Sequence, residues 1–133
     1  DWSSDVCSSD LEQPGLELRP YVHKLYEHLA CCDLALVQGG LSTTMELVAT
    51  RRPFLSFPLQ RHFEQCVHVR QRLANYAADR SMDYALTLDP EQLAQRALAA
   101  MHEPVRYRPV ETDGAARAAL RIAQVLENRT WAR

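Results

Sequence analysis

Residues 33–65, DLALVQGGLSTTMELVATRRPFLSFPLQRHFEQ, restrict the possible folds of this chain more than any other stretch. Leu34-Ala35-Leu36-Val37 is an apolar run with the length and residue types of a buried parallel strand. Gln38-Gly39-Gly40 breaks it, and Ser42-Thr43-Thr44 brings hydroxyls to the point where a helix should begin, with Glu46 in its first turn. Pro53 stops that helix, and Phe54-Leu55-Ser56-Phe57 makes a second strand ended by Pro58. A strand that empties through glycines onto a helix N-terminus is how α/β proteins hold phosphate, so a nucleotide-phosphate site is expected here.

The rest of the chain extends the same alternation. Val22, Leu25, Leu29 and Cys32 fall at helical spacing and predict an amphipathic helix over residues 21–32. Phe63, Val67, Val69, Leu73 and Tyr76 predict a long helix over residues 62–76, with Arg70 and Arg72 toward solvent. Residues 82–87, MDYALT, predict a third strand. Asp89 and Pro90 cap and open a helix to about Met101, and Asp113 caps a last amphipathic helix carrying Leu120, Ile122, Val125 and Leu126. Connections of this length imply parallel strands and right-handed crossovers. The fold class expected is α/β, a partial Rossmann-like parallel sheet flanked by helices. Three strands are few for such a sheet, and the chain does not begin with Met, so it is expected to be the C-terminal part of a larger domain. Residues 1–11, DWSSDVCSSDL, differ in composition from the Ala/Leu/Arg-rich remainder and are expected to be a non-native or disordered leader, with the partial nucleotide-binding domain over 12–133.

Composition removes several classes of function. A formal charge of -2 offers no general attraction to nucleic acid or an anionic membrane. No apolar run reaches the roughly 20 residues of a membrane span, and no signal peptide is visible, which makes the expected location cytoplasmic. The four cysteines, Cys7, Cys31, Cys32 and Cys66, form no C-x-x-C pair, as in a reduced protein rather than a disulfide scaffold.

At the glycine turn, spacing alone leaves two readings open. Gly39 and Gly40 would permit positive φ and close approach, and the N–H groups of residues 41–44, with the Ser42 and Thr43 hydroxyls, would face an anion. Equally, Ser42 could be a plain N-cap and Glu46 a complement to the helix dipole. His28 with Cys32, and His62 with Cys66, stand one helical turn apart but form no tight cluster, so no metal is expected. His62 and His68 could reach a phosphate ligand or simply face solvent. Gly40-Leu41-Ser42-Thr43-Thr44 lacks the second glycine of a hydrolase elbow. Arg51-Arg52 and Arg70/Arg72 read as solvated helix charges, and Phe54 and Phe57 as core.

Gln38-Gly39-Gly40-Leu41-Ser42-Thr43-Thr44-Met45-Glu46, followed by Pro53, Pro58 and Glu64-Gln65, resembles the donor-binding half of GT-B glycosyltransferases. It is similar to UDP-glycosyltransferases and to the N-acetylglucosaminyltransferase of peptidoglycan synthesis, over about residues 18–128. The resemblance implies that Gln38, Gly39, Gly40, Leu41, Ser42 and Thr43 meet the diphosphate of a nucleotide sugar and that Glu46 grips its ribose. It further implies that Glu64 and Gln65 hold the sugar, and that Tyr21 and Val22 read the base. Gln38 departs from the His or Arg of many relatives, which removes a positive charge from the phosphate, and His68 stands where asparagine is common. Implied too are a UDP or TDP sugar as donor substrate, no other cofactor and no metal. The transfer would be metal-independent and inverting, with the acceptor and the catalytic base supplied by an N-terminal acceptor-binding half. Two alternatives remain, a nucleotide-sugar epimerase of the same fold and a non-catalytic nucleotide-binding module.

Overall fold

Both apolar runs around the glycine turn become strands in the computed structural model, which describes residues 13–128. They are β1 (Ala35–Val37) and β2 (Phe54–Ser56), joined by α2 (Leu41–Ala49) and preceded by α1 (Leu25–Cys31). The expected leader at residues 1–11 lies outside the described residues. The strands pair in parallel with Ala35 opposite Phe54, Leu36 opposite Leu55 and Val37 opposite Ser56. After β2 the chain enters a π-helical segment (Glu64–Val69) that runs straight into α3 (Arg70–Asn75). A 3-10 turn (Tyr84–Leu88), α4 (Pro90–His102) and α5 (Gly114–Asn128) complete the order.

Strand alternation distributes β2 between two cores. Phe54 joins Leu47 and Val48 of α2, Val69, and Leu73 of α3 on one face. Leu55 and Phe57 point the other way and pack with Ala100 of α4, against Leu34 and Leu93. Phe54 and Phe57 are therefore core, as their sequence context suggested. Helices on both faces of a small parallel sheet make this an α/β Rossmann-like arrangement. Full burial of a residue such as Leu55 contributes about 1.5–3 kcal/mol, and each core holds several. The tilted pair Phe54–Tyr107, with centroids 5.9 Å apart, joins the chain beyond α4 to the first core.

Several expectations are corrected. Residues 82–87 are not a strand. Only Ser81 bridges Ser56, with Ser56 N donating to Arg80 O and Met82 N to Ser56 O. Asp83 then accepts from Ala85 N at 2.9 Å, and that side-chain cap turns the backbone into the 3-10 turn. The helix expected from residue 21 starts only at Leu25, because Lys24 sits in the left-handed region at φ 50°; Val22 lies outside it. β1 is not buried on both faces, since Leu36 keeps 49 % of its surface exposed. The helix over residues 62–76 is π-wound in its first half. Arg52 is not a solvated helix charge: it follows α2, is half-buried, and its Nε is buried without a hydrogen-bond partner. Along α5, Leu120, Ile122 and Leu126 are exposed and only Val125 is half-buried, so its apolar stripe is largely uncovered among the described residues.

Candidate functional site

A parallel pair releases both of its following loops at one edge of the sheet. The first is the glycine turn. Gln38 is exposed, Gly39 is buried at φ 101°, and Gly40 returns to extended backbone at φ -66°, ψ 144°. The two glycines thus have different roles. Gly39 alone needs positive φ, and a Cβ there would lie 3.6 Å from Ser56 Cβ. Around Gly40 a Cβ would meet nothing within 4 Å. The backbone is open on the side from which a ligand would approach.

α2 starts at Leu41 with Gly40 at the cap position and no side-chain cap, so Ser42 is not the N-cap that one reading of the sequence allowed. Thr44 N already donates to Gly40 O at 3.1 Å, which takes it out of the expected set of free donors. The N–H groups of Leu41, Ser42 and Thr43 remain without an acceptor inside the helix. They carry the positive end of the helix dipole. The Thr44 hydroxyl is turned inward and donates to Gly40 O at 2.9 Å, whereas Ser42 is exposed and Thr43 half-buried. Glu46 lies in the second turn rather than the first, four residues after Ser42 and three after Thr43, on the same helix face. That places a half-buried carboxylate just below the uncapped N–H groups.

The second loop, residues 57–63, leaves β2 against the first. Gly39 packs on Ser56 and Pro58, and Phe57 N donates to Val37 O at 2.8 Å. The path of this loop is set by Leu59, whose N–H donates to Gln65 Oε1 at 3.0 Å while its carbonyl accepts from Cys66 Sγ at 3.1 Å. Two consecutive side chains at the start of the π segment therefore satisfy both backbone groups of one loop residue. Gln65 has its carbonyl engaged by Leu59 N–H, and its amide nitrogen is left to donate toward a ligand. Glu64, beside it, is exposed, and an ionised carboxylate can only accept.

The structure brings residues 38–43, Glu46, Glu64 and Gln65 to the two loops and helix starts at this sheet edge. Tyr21 and Val22 precede α1; Tyr21 is 77 % exposed, and no backbone hydrogen bond links either to the turn among the described residues. His68 packs edge-on to the Phe63 ring, with centroids 5.0 Å apart. The Cys32 thiol donates to Leu29 O, and burial pushes it above its ordinary pKa, away from the thiolate a metal would need. Among the described residues no three His, Cys, Asp or Glu side chains gather as a metal site would require. Sequence reasoning did not anticipate the structural use of Cys66 and Gln65. Their proximity to Leu59 has no periodic signature.

Among known families, residues 2–126 match the glycosyltransferase family 28 C-terminal domain. No curated protein and no solved structure matches the chain.

Proposed function

The chain belongs to the glycosyltransferase family 28 C-terminal domain, the donor-binding domain of GT-B glycosyltransferases, and from that premise we propose that its glycine turn holds the diphosphate of a nucleotide-sugar donor. The observation that carries this reading is the uncapped start of α2. Three N–H groups, at Leu41, Ser42 and Thr43, follow a glycine at φ 101° and a second glycine with open space around it. A diphosphate oxygen there would accept charge-assisted hydrogen bonds of about 1.5–3 kcal/mol each. Glu46 would accept ribose hydroxyls one turn along the same face. Glu64 would accept and Gln65 donate at the sugar, which is the complementary pair a hydroxylated ring requires.

The chemistry of the proposed transfer comes from the same dipole. As the glycosidic bond to the diphosphate breaks, negative charge grows on the departing phosphate, and preoriented N–H groups stabilise it without reorganising. The positive helix end would do this without a metal and without a cation at Gln38. Inversion at the anomeric carbon is the stereochemistry proposed, and the acceptor with its general base would approach from outside this donor-binding unit. UDP and TDP are the nucleotides proposed.

Titration calorimetry of the chain with UDP and with TDP tests this. Binding of one of them is expected, and Glu46→Ala is expected to weaken it about tenfold, the loss of one hydrogen-bonded carboxylate. Absence of binding, or binding indifferent to Glu46, would leave a non-catalytic module as the better description.

A further inference from the structure

A cleft of about 370 Å³ opens between the start of the loop after β2, the helical segment Cys66 to Arg70, and the backbone beyond the Ser81 bridge. None of residues 38–46 lines it, so it is distinct from the glycine turn. Its volume lies in the range of small-ligand sites. The side chains that furnish it are Gln60, Cys66, Arg70, Ser81, Asp83 and Tyr84.

These groups are held in place. Arg70 Nε rests 3.5 Å from Asp79 Oδ2, and Asp79 Oδ1 accepts from both Ser81 N and Ser81 Oγ, at 3.1 and 2.6 Å. One carboxylate thus orients both the guanidinium and the hydroxyl that line the cleft. Asp83 Oδ1 accepts from Ala85 N and, at 3.5 Å, from Gln60 Nε2, which leaves Oδ2 for a ligand. Cys66 is fixed by its bond to Leu59 O, within a π-helical segment, a winding frequent at functional sites.

The chemistry of the wall selects its ligand. Arg70 already shares its charge with Asp79 behind the wall, and the further carboxylate of Asp83 faces the cleft, which disfavours an anion. A lining rich in polar groups disfavours a purely apolar guest. What suits planar charged groups, an amide, a hydroxyl and a phenol ring together is a neutral ring bearing several hydroxyls. We propose that this cleft is a second carbohydrate subsite, taking one uncharged sugar ring whose hydroxyls bridge Asp83 and Arg70, away from the glycine turn and sharing with the nucleotide-sugar site only the loop after β2 and the start of the π segment.

Amide NMR spectra of the 133-residue chain test the proposal, titrated with methyl β-D-glucopyranoside, with inorganic phosphate and with UDP. The glucoside is expected to produce saturable shifts at Gln60, Ser81, Asp83 and Tyr84. Tyr84→Ala and Arg70→Gln should each weaken that response about tenfold, with the spectrum otherwise that of a folded chain. Glu46→Ala should leave it unchanged while weakening the response to UDP, so failure of the nucleotide reading and failure of this one are separable. The proposal is overturned if the glucoside gives no saturable shift, if its shifts fall on residues 39–44, or if phosphate shifts the cleft residues and the glucoside does not.

Discussion

Gly39 takes φ 101° in a buried turn, a region that costs an L side chain about 1–2 kcal/mol. Its neighbour Gly40, at φ -66°, carries no such demand. A Cβ on Gly39 would find Ser56 Cβ at an ordinary 3.6 Å, so backbone strain and not collision sets the penalty. Gly39→Ala is therefore expected to lower stability by about 1–2 kcal/mol, read as a shift in the urea midpoint at constant slope. Gly40→Ala should move the midpoint by less than about 0.5 kcal/mol. Equal effects at the two positions would show that the turn is not built as described. Sequence alone could not separate them, because two adjacent glycines look alike until one dihedral is known.

At the scale of elements, β1, α2 and β2 were legible because their signals are local: an apolar run, a glycine pair, Pro53 and Pro58. Residues 82–87 misled because Met82, Tyr84 and Leu86 alternate like a strand, while the Asp83 carboxylate at the Ala85 N–H decides the matter. Lys24 in the left-handed region delays α1 by a backbone conformation its residue type does not announce. The π winding after Phe63 accompanies the Gln65 and Cys66 bonds to Leu59, a partnership no periodicity encodes. Of the candidate site, the place of the glycine turn ahead of α2 was readable, whereas Glu46 falls one turn later than its context suggested and Tyr21 and Val22 find no bonded connection to the turn among the described residues. One interaction joins elements across the second core. Glu103, just past α4, binds Arg96 at 2.7 Å and also Arg80, ahead of the Ser81 bridge. Hydrogen bonding from Arg96, then from Arg80, holds the Glu103 carboxyl below its ordinary pKa. A carboxyl with a depressed folded-state pKa stabilises above its unfolded value and loses that contribution as pH falls through the folded one. Glu103→Gln is expected to lower stability at neutral pH, by less than about 1 kcal/mol because the group is partly solvated, and to matter progressively less as pH falls below the ordinary carboxylate range. A pH-independent difference in urea midpoint would contradict this.

Among the described residues, two small cores on either side of a two-stranded sheet support a candidate site that belongs to neither. Both loops leave the same sheet edge, and the groups expected to meet a ligand are backbone N–H groups and side chains from α2 and the π segment. Rigid packing beneath and unfilled hydrogen-bonding capacity above are properties of one sequence, since Leu47, Val48 and Thr44 are buried in the helix whose first N–H groups are left over. The uncapped start of α2 has a thermodynamic consequence. Many helices close their first turn with their own serine or aspartate; this one does not, so a ligand bound there as proposed would complete the secondary structure as it binds. A nucleotide that occupies only the folded turn must then raise the unfolding temperature in step with its concentration. The gain is expected to reach about 2.7 kcal/mol at a hundredfold excess over Kd. Thermal melts of the chain across a UDP series would measure it, and a melting temperature that ignores UDP would mean the helix keeps no place for it.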